Sequence, residues 1–177
     1  MFGFLSALVG LPRTVASHRP AYDIDEFARV AGGRACRVVV HGNPFREHGY
    51  KDAEFVAAVI AAMQGQNSGP VTRFTASPSP DANPAYRVAL LFNGAATVRA
   101  DDLCAASATL PSVEPLGEKG RVRVLVAWCK EDAVLSEVSG WVGGVSAPTD
   151  RRFTRLVAQA VRDLFPQVTE PGGLKGH

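Results

Sequence analysis

Apolar and polar positions alternate with period two over Arg121-Val-Arg-Val-Leu-Val-Ala-Trp128, the mark of a half-buried strand. The chain then turns at Lys130-Glu131-Asp132, and Val134 to Val142 returns as a second strand. From Asp150 to Phe165 the period changes to that of a helix. Phe153, Leu156, Val157, Ala160, Val161, Leu164 and Phe165 form one stripe, with Arg151, Arg152, Arg155 and Arg162 largely off it. The pattern predicts an antiparallel hairpin covered by a helix.

Upstream, Tyr22 to Gly33 reads as a short helix capped by Asp23, with Ile24, Phe27 and Val30 on one face and Gly32-Gly33 as its stop. Ala35 to His41 is apolar enough for a central strand, and His41-Gly-Asn-Pro-Phe45 breaks it. Asp52 caps a second helix whose stripe is Phe55, Val56, Val59, Ile60 and Met63. Val71 to Thr75 is a short strand, and the segment 76–84 with Pro78, Pro80 and Pro84 is an exposed excursion. Tyr86 to Phe92 is another central strand. Ala95 to Gly120 reads as a long, partly ordered crossover that carries Cys104. The order predicts an α+β two-layer sandwich. Its mixed, mostly antiparallel sheet of about five strands has helices on one face. The domain is expected over residues 21–166, with a disordered tail from Gln167.

The amino terminus changes the picture. Phe2 to Leu11 is an apolar run too short to span a bilayer, which takes about 20 residues. It has the size of a signal-peptide core, and Val15-Ala16-Ser17 resembles a cleavage site before His18. No Lys or Arg precedes the run, and Pro12-Arg13 interrupts it. Residues 1–20 are therefore a signal or a flexible segment. The expected location is the periplasm, with the cytoplasm as the alternative.

The remaining composition mainly excludes functions. A net charge of +2, with no basic run carrying interleaved aromatics, argues against nucleic acid. Three cysteines occur without a Cys-x-x-Cys pair, so a structural zinc site is not expected. Cys36 reads as a buried thiol. Cys104 and Cys129, at element ends, are candidates for a disulfide in an oxidising compartment; two unrelated buried thiols are the alternative. There is no Gly-x-Ser-x-Gly elbow, phosphate-binding loop or dinucleotide fingerprint. Asp101-Asp102 and Glu131-Asp132 read as caps or solvated turns. No cofactor is expected.

The best candidate for contact chemistry is the His41-Gly-Asn-Pro-Phe-Arg-Glu-His48 loop, at the carboxyl end of a central strand and before a helix start. His41, Asn43, Phe45 and His48 are its candidate ligand or partner contacts. His41, Glu47 and His48 could supply a metal shell if they converge. Cys36 and His41, five residues apart on one strand, point to opposite faces, which disfavours a thiol–imidazole pair. Trp128 and Trp141 lie on the two hairpin strands. An exposed Trp141 beside Gly140, Gly143 and Gly144 would form a contact patch. The outer edge of the hairpin needs protection from pairing, from Arg121 and Arg123 or from a partner.

The elements Arg37-Val-Val-Val-His-Gly-Asn-Pro-Phe45, Ala53 to Met63, Val122 to Gly140 and Phe153 to Phe165 give a pattern that resembles the small α/β domains of bacterial envelope accessory proteins. Such domains are found in the amino-terminal region of TolB, in CsgG and in LpoB. The long middle segment and the missing lipobox depart from that pattern. The resemblance implies a non-catalytic envelope domain that binds a partner protein or small ligand, and no functional residue carries over from it. The competing readings are a small metal-assisted hydrolase using the His41–His48 loop and a cytosolic structural protein.

Overall fold

The computed structural model describes residues 10–106 and 108–169. It is an α+β sandwich built on one six-stranded mixed sheet. The strands are β1 (Arg13–His18), β2 (Ala35–His41), β3 (Arg73–Thr75), β4 (Tyr86–Phe92), β5 (Val122–Lys130) and β6 (Ala133–Val142). The helices are α1 (Ile24–Ala31), α2 (Asp52–Met63), α3 (Ala100–Ala105) and α4 (Arg151–Leu164), with a 3-10 turn at Arg46–His48. The spatial order is β1-β6-β5-β4-β2-β3. The pairs β1–β6, β6–β5 and β5–β4 are antiparallel, while β2 runs parallel to both β4 and β3.

Alternation along the central strands sorts their side chains onto two faces. Val88, Leu90 and Phe92 of β4 and Val124, Val126 and Trp128 of β5 point into the main core. There they meet Phe27 of α1, Phe55 and Val59 of α2, and Phe153, Leu156, Val157 and Ala160 of α4. Phe27 stacks on Phe165 at 3.9 Å between centroids and meets the edge of Trp128 at 5.3 Å. Cys36 also faces this core, where burial pushes its thiol pKa up to about 12 and leaves it inert.

The opposite face carries a smaller cluster. Ala89 and Leu91 of β4 and Ala127 and Cys129 of β5 lie under Ala100, Leu103 and Cys104 of α3. The helix is too short to announce itself by periodicity. It is held instead by Asp102, whose carboxylate accepts from the Arg99 N–H at 2.9 Å, and by a Cys104–Cys129 disulfide with Cα atoms 5.5 Å apart. The segment read as a long crossover is thus partly helical and is stapled to the sheet.

The boundaries differ from the sequence reading at both ends. Residues 13–18, read as part of a leader or flexible segment, form the edge strand β1, with Arg13 opposite Trp141 and His18 opposite Ser136. Thr14 donates to Asp163 and accepts from Gln159, tying the strand to α4. Small, exposed residues on an edge strand look like a cleavage site because neither needs a hydrophobic stripe. The hairpin's outer edge is therefore covered by the chain's own β1, not by Arg121 and Arg123. At the other end, Val168 packs on the core and accepts from the Ile24 N–H at 2.9 Å, so order continues past Gln167. The apolar run over 2–9 and the tail over 170–177 lie outside the described residues. Among the described residues no helix is long and apolar enough to cross a membrane.

Candidate functional site

The loop after β2 does not assemble the expected site. Asn43 is buried, accepts from the Phe45 N–H at 3.0 Å, and donates to the Tyr50 carbonyl at 2.9 Å and to Asp52 at 3.1 Å. It ties the turn shut, with both amide atoms engaged in it. Phe45 is 0% exposed and packs its ring against Tyr50, Phe55 and Phe153 at 5.5 to 6.1 Å. An aromatic residue that follows Asn-Pro is as easily a core plug as a contact, and here it is the plug. His48 sits exposed in the 3-10 turn. Lys51, not Asp52, occupies the N-cap of α2, and the Asp52 carboxylate binds Asn43 and Arg46. Among the described residues no three His, Cys, Asp or Glu side chains gather as a metal shell.

His41 is different. It is 2% exposed and faces away from the main core, because it lies an odd number of residues from Cys36. Its Nδ1 accepts from the Leu110 N–H at 2.9 Å. Burial, with Arg87 nearby, pulls its pKa below the ordinary histidine value. The ring is therefore neutral near pH 7, and its proton is on Nε2.

Register places His41 in line with the other surviving candidate. One cross-strand row runs Val15, Ser139, Leu125, Leu91, His41 over β1, β6, β5, β4 and β2. The next row holds Arg13, Trp141 and Arg123. Trp141 is thus on the same sheet face as His41. It is 37% exposed, whereas Trp128, on the other face, is 1% exposed. The two tryptophans are not opposite each other: Trp128 faces Ser136, and Trp141 faces Arg123.

The short helix α3 covers only part of this face and leaves two cavities. The first, of about 520 Å³, is lined by Leu91, Val98, Arg121, Arg123, Ser139 and Trp141. Arg123 pairs with Glu114 at 2.9 Å at its rim. Its floor is fixed by Asn93. Asn93 Oδ1 accepts from the Arg123 N–H at 2.7 Å, Nδ2 donates to the Arg121 carbonyl, and its own carbonyl accepts from Val113 and Glu114. A positive φ of 47° at Asn93 makes this possible, a conformation that Asn tolerates. The second cavity, of about 430 Å³, lies beside α3's other end and is lined by Arg37, Val39, His41, Arg87, Thr109 and Asp132.

No family model matches the chain, and no curated protein matches it. Among solved structures, the chain is similar to the PelC dodecamer from Paraburkholderia phytofirmans. One crystal form superposes with 12% identity and a TM-score of 0.48. A leucine-to-methionine variant of the same protein gives 14% and 0.45. Both alignments cover 87% of this chain and 97% of the other. At that level of superposition the likeness does not bear on function.

Proposed function

We propose that this chain is an exported, non-catalytic binding domain of the cell envelope, and that the partly covered sheet face receives its partner or ligand. The Cys104–Cys129 disulfide carries the reading. Such bridges persist in oxidising compartments and are rare where thiols are kept reduced. Here the bridge is structural, since it anchors the helix that divides the exposed face. A face that leaves an indole 37% exposed beside an arginine-lined cavity has the composition of a contact surface, where aromatic residues and Arg are enriched.

The export half of the reading carries one revision. Processing before His18 would remove five of the six residues of β1, so a mature chain that keeps this sheet begins upstream of Arg13. The test is expression in the native host, fractionation, and non-reducing peptide mass spectrometry. The expected result is a periplasmic chain with Cys104 linked to Cys129, Cys36 free, and its first residue before Arg13. A cytosolic chain with an intact Met1 and three free thiols would overturn the proposal. Trp141 emission then serves to screen partners, because Trp128 is too deeply buried to respond at the surface.

A further inference from the structure

We propose that the cavity bounded by Arg37, Arg87 and the Nε2–H of His41 is a binding site for an oxyanion group, the carboxylate or phosphate of a small ligand. The inference rests on the reading of this face as a binding face, and it names the ligand chemistry of the cavity on the far side of α3 from Trp141.

Three observations converge. First, β2 and β4 are neighbouring parallel strands with Arg37 and Arg87 as direct partners, so two guanidinium groups emerge from adjacent strands on one face. Like charges opposite each other repel unless something between them is negative. Second, Arg87 is held from behind. It donates to the Glu131 carbonyl at 2.8 Å and to the Cys104 carbonyl. Neither acceptor carries a charge, and the Asp132 carboxylate acts on Arg87 without forming an ion pair among the described residues, so the two arginine charges are only partly offset. Arg37 has no carboxylate partner among the described residues. Third, His41 is almost wholly buried, its Nδ1 is used by Leu110, and its Nε2–H has no acceptor among the described residues while the ring lines the cavity. The Nε2–H opens onto the cavity, where a ligand oxygen can accept from it.

The donor set is two planar forks and one N–H, with no acceptor from any of the three side chains. Such a set matches carboxylate or phosphate oxygens and repels cations. Asp132 is the carboxylate lining the cavity, and it opposes an anion there. Its presence gives the proposal a variant of opposite sign. The volume of about 430 Å³ exceeds a bare ion, so the oxyanion is one group of a larger molecule.

The test uses the full oxidised chain at pH 7.5 and constant ionic strength. It is titrated separately with inorganic phosphate and with acetate while the His41 ring and arginine side-chain resonances are followed by NMR. The expected result is a saturable shift at His41 with at least one probe. Phosphate alone points to a phosphate-bearing ligand, and acetate alone to a carboxylate. Arg37→Gln weakens binding about tenfold or more, as expected for a lost charge-assisted hydrogen bond. Asp132→Asn strengthens it, a gain that misfolding cannot produce. Shifts that fail to saturate by ~100 mM with either probe, or equal affinity in wild type and both variants, would overturn the site. Cellular location and thiol state, which decide the envelope reading, do not enter this titration, so the two proposals fail separately.

Discussion

Breaking the Cys104–Cys129 bridge should cost the protein most of one chain-entropy constraint, and the structure sets its size. The bridged residues are 25 apart in sequence. A closed loop of that length removes about 12 cal/mol/K from the unfolded ensemble, or roughly 3.5 kcal/mol at 25 °C. The perturbation is Cys104→Ala, Cys129→Ala and the double variant. Alanine avoids placing unpaired hydroxyls at two sites that are 0% exposed. Either single change removes the whole constraint, so the three variants should cluster near the same loss and not add. For a chain of this size, with a urea slope of roughly 2–3 kcal/mol/M, the midpoint should fall by roughly 1–2 M. Reduced wild type should coincide with the double variant to within the packing of two sulfur atoms. Limited proteolysis should then cut the reduced protein between residues 105 and 120, because α3 rests on a cluster separate from the main core. Identical urea midpoints for oxidised and reduced wild type would refute the argument, as would additive single variants.

Three further outcomes follow from the packing. Phe45→Ala should destabilise by about 3–5 kcal/mol in urea unfolding and leave anion titration at His41 unchanged, since the ring fills the core and not the cavity. Gly42 has φ +80°, and an added Cβ would lie 2.8 Å from the Phe92 carbonyl and against Ser112; Gly42→Ala should cost at least ~1–3 kcal/mol by thermal unfolding. His41 has a depressed pKa in the fold, so on acidification the unfolded chain takes up its proton first. Its contribution is complete above the ordinary histidine pKa of about 6.5 and is lost as pH falls through the lower folded value. Urea midpoints from pH 8 to 5 should therefore fall more steeply for wild type than for His41→Gln, and parallel curves would count against a neutral buried imidazole.

The fold was legible where burial imposes a period. Ala35–His41, Tyr86–Phe92, the β5–β6 hairpin and α4 sit where alternation and the Phe153–Leu164 stripe place them. What escaped notice has little periodicity to offer. β1 is an edge strand with five of its six residues exposed, and α3 is a turn and a half of helix whose placement depends on a disulfide. The candidate site divides the same way. His41 and Trp141 share a face because of strand register, which depends on the partner strands and not on local sequence. Asn43 and Phe45 lie beside His41 in sequence, but the turn buries Phe45 in the main core and ties Asn43 to Tyr50 and Asp52. Arg37 and Arg87 are 50 positions apart and come together only because β2 and β4 pair in parallel.

That β1 pairs with β6 also constrains the order of assembly. Arg13 lies opposite Trp141, so β1 waits for more than a hundred residues before its partner exists. Closing a loop of that length is slow relative to forming the β5–β6 hairpin, which needs only the two-residue link Glu131–Asp132. Until then β1 has no strand to pair with on this edge. This edge of the sheet therefore closes only after β6 is in place.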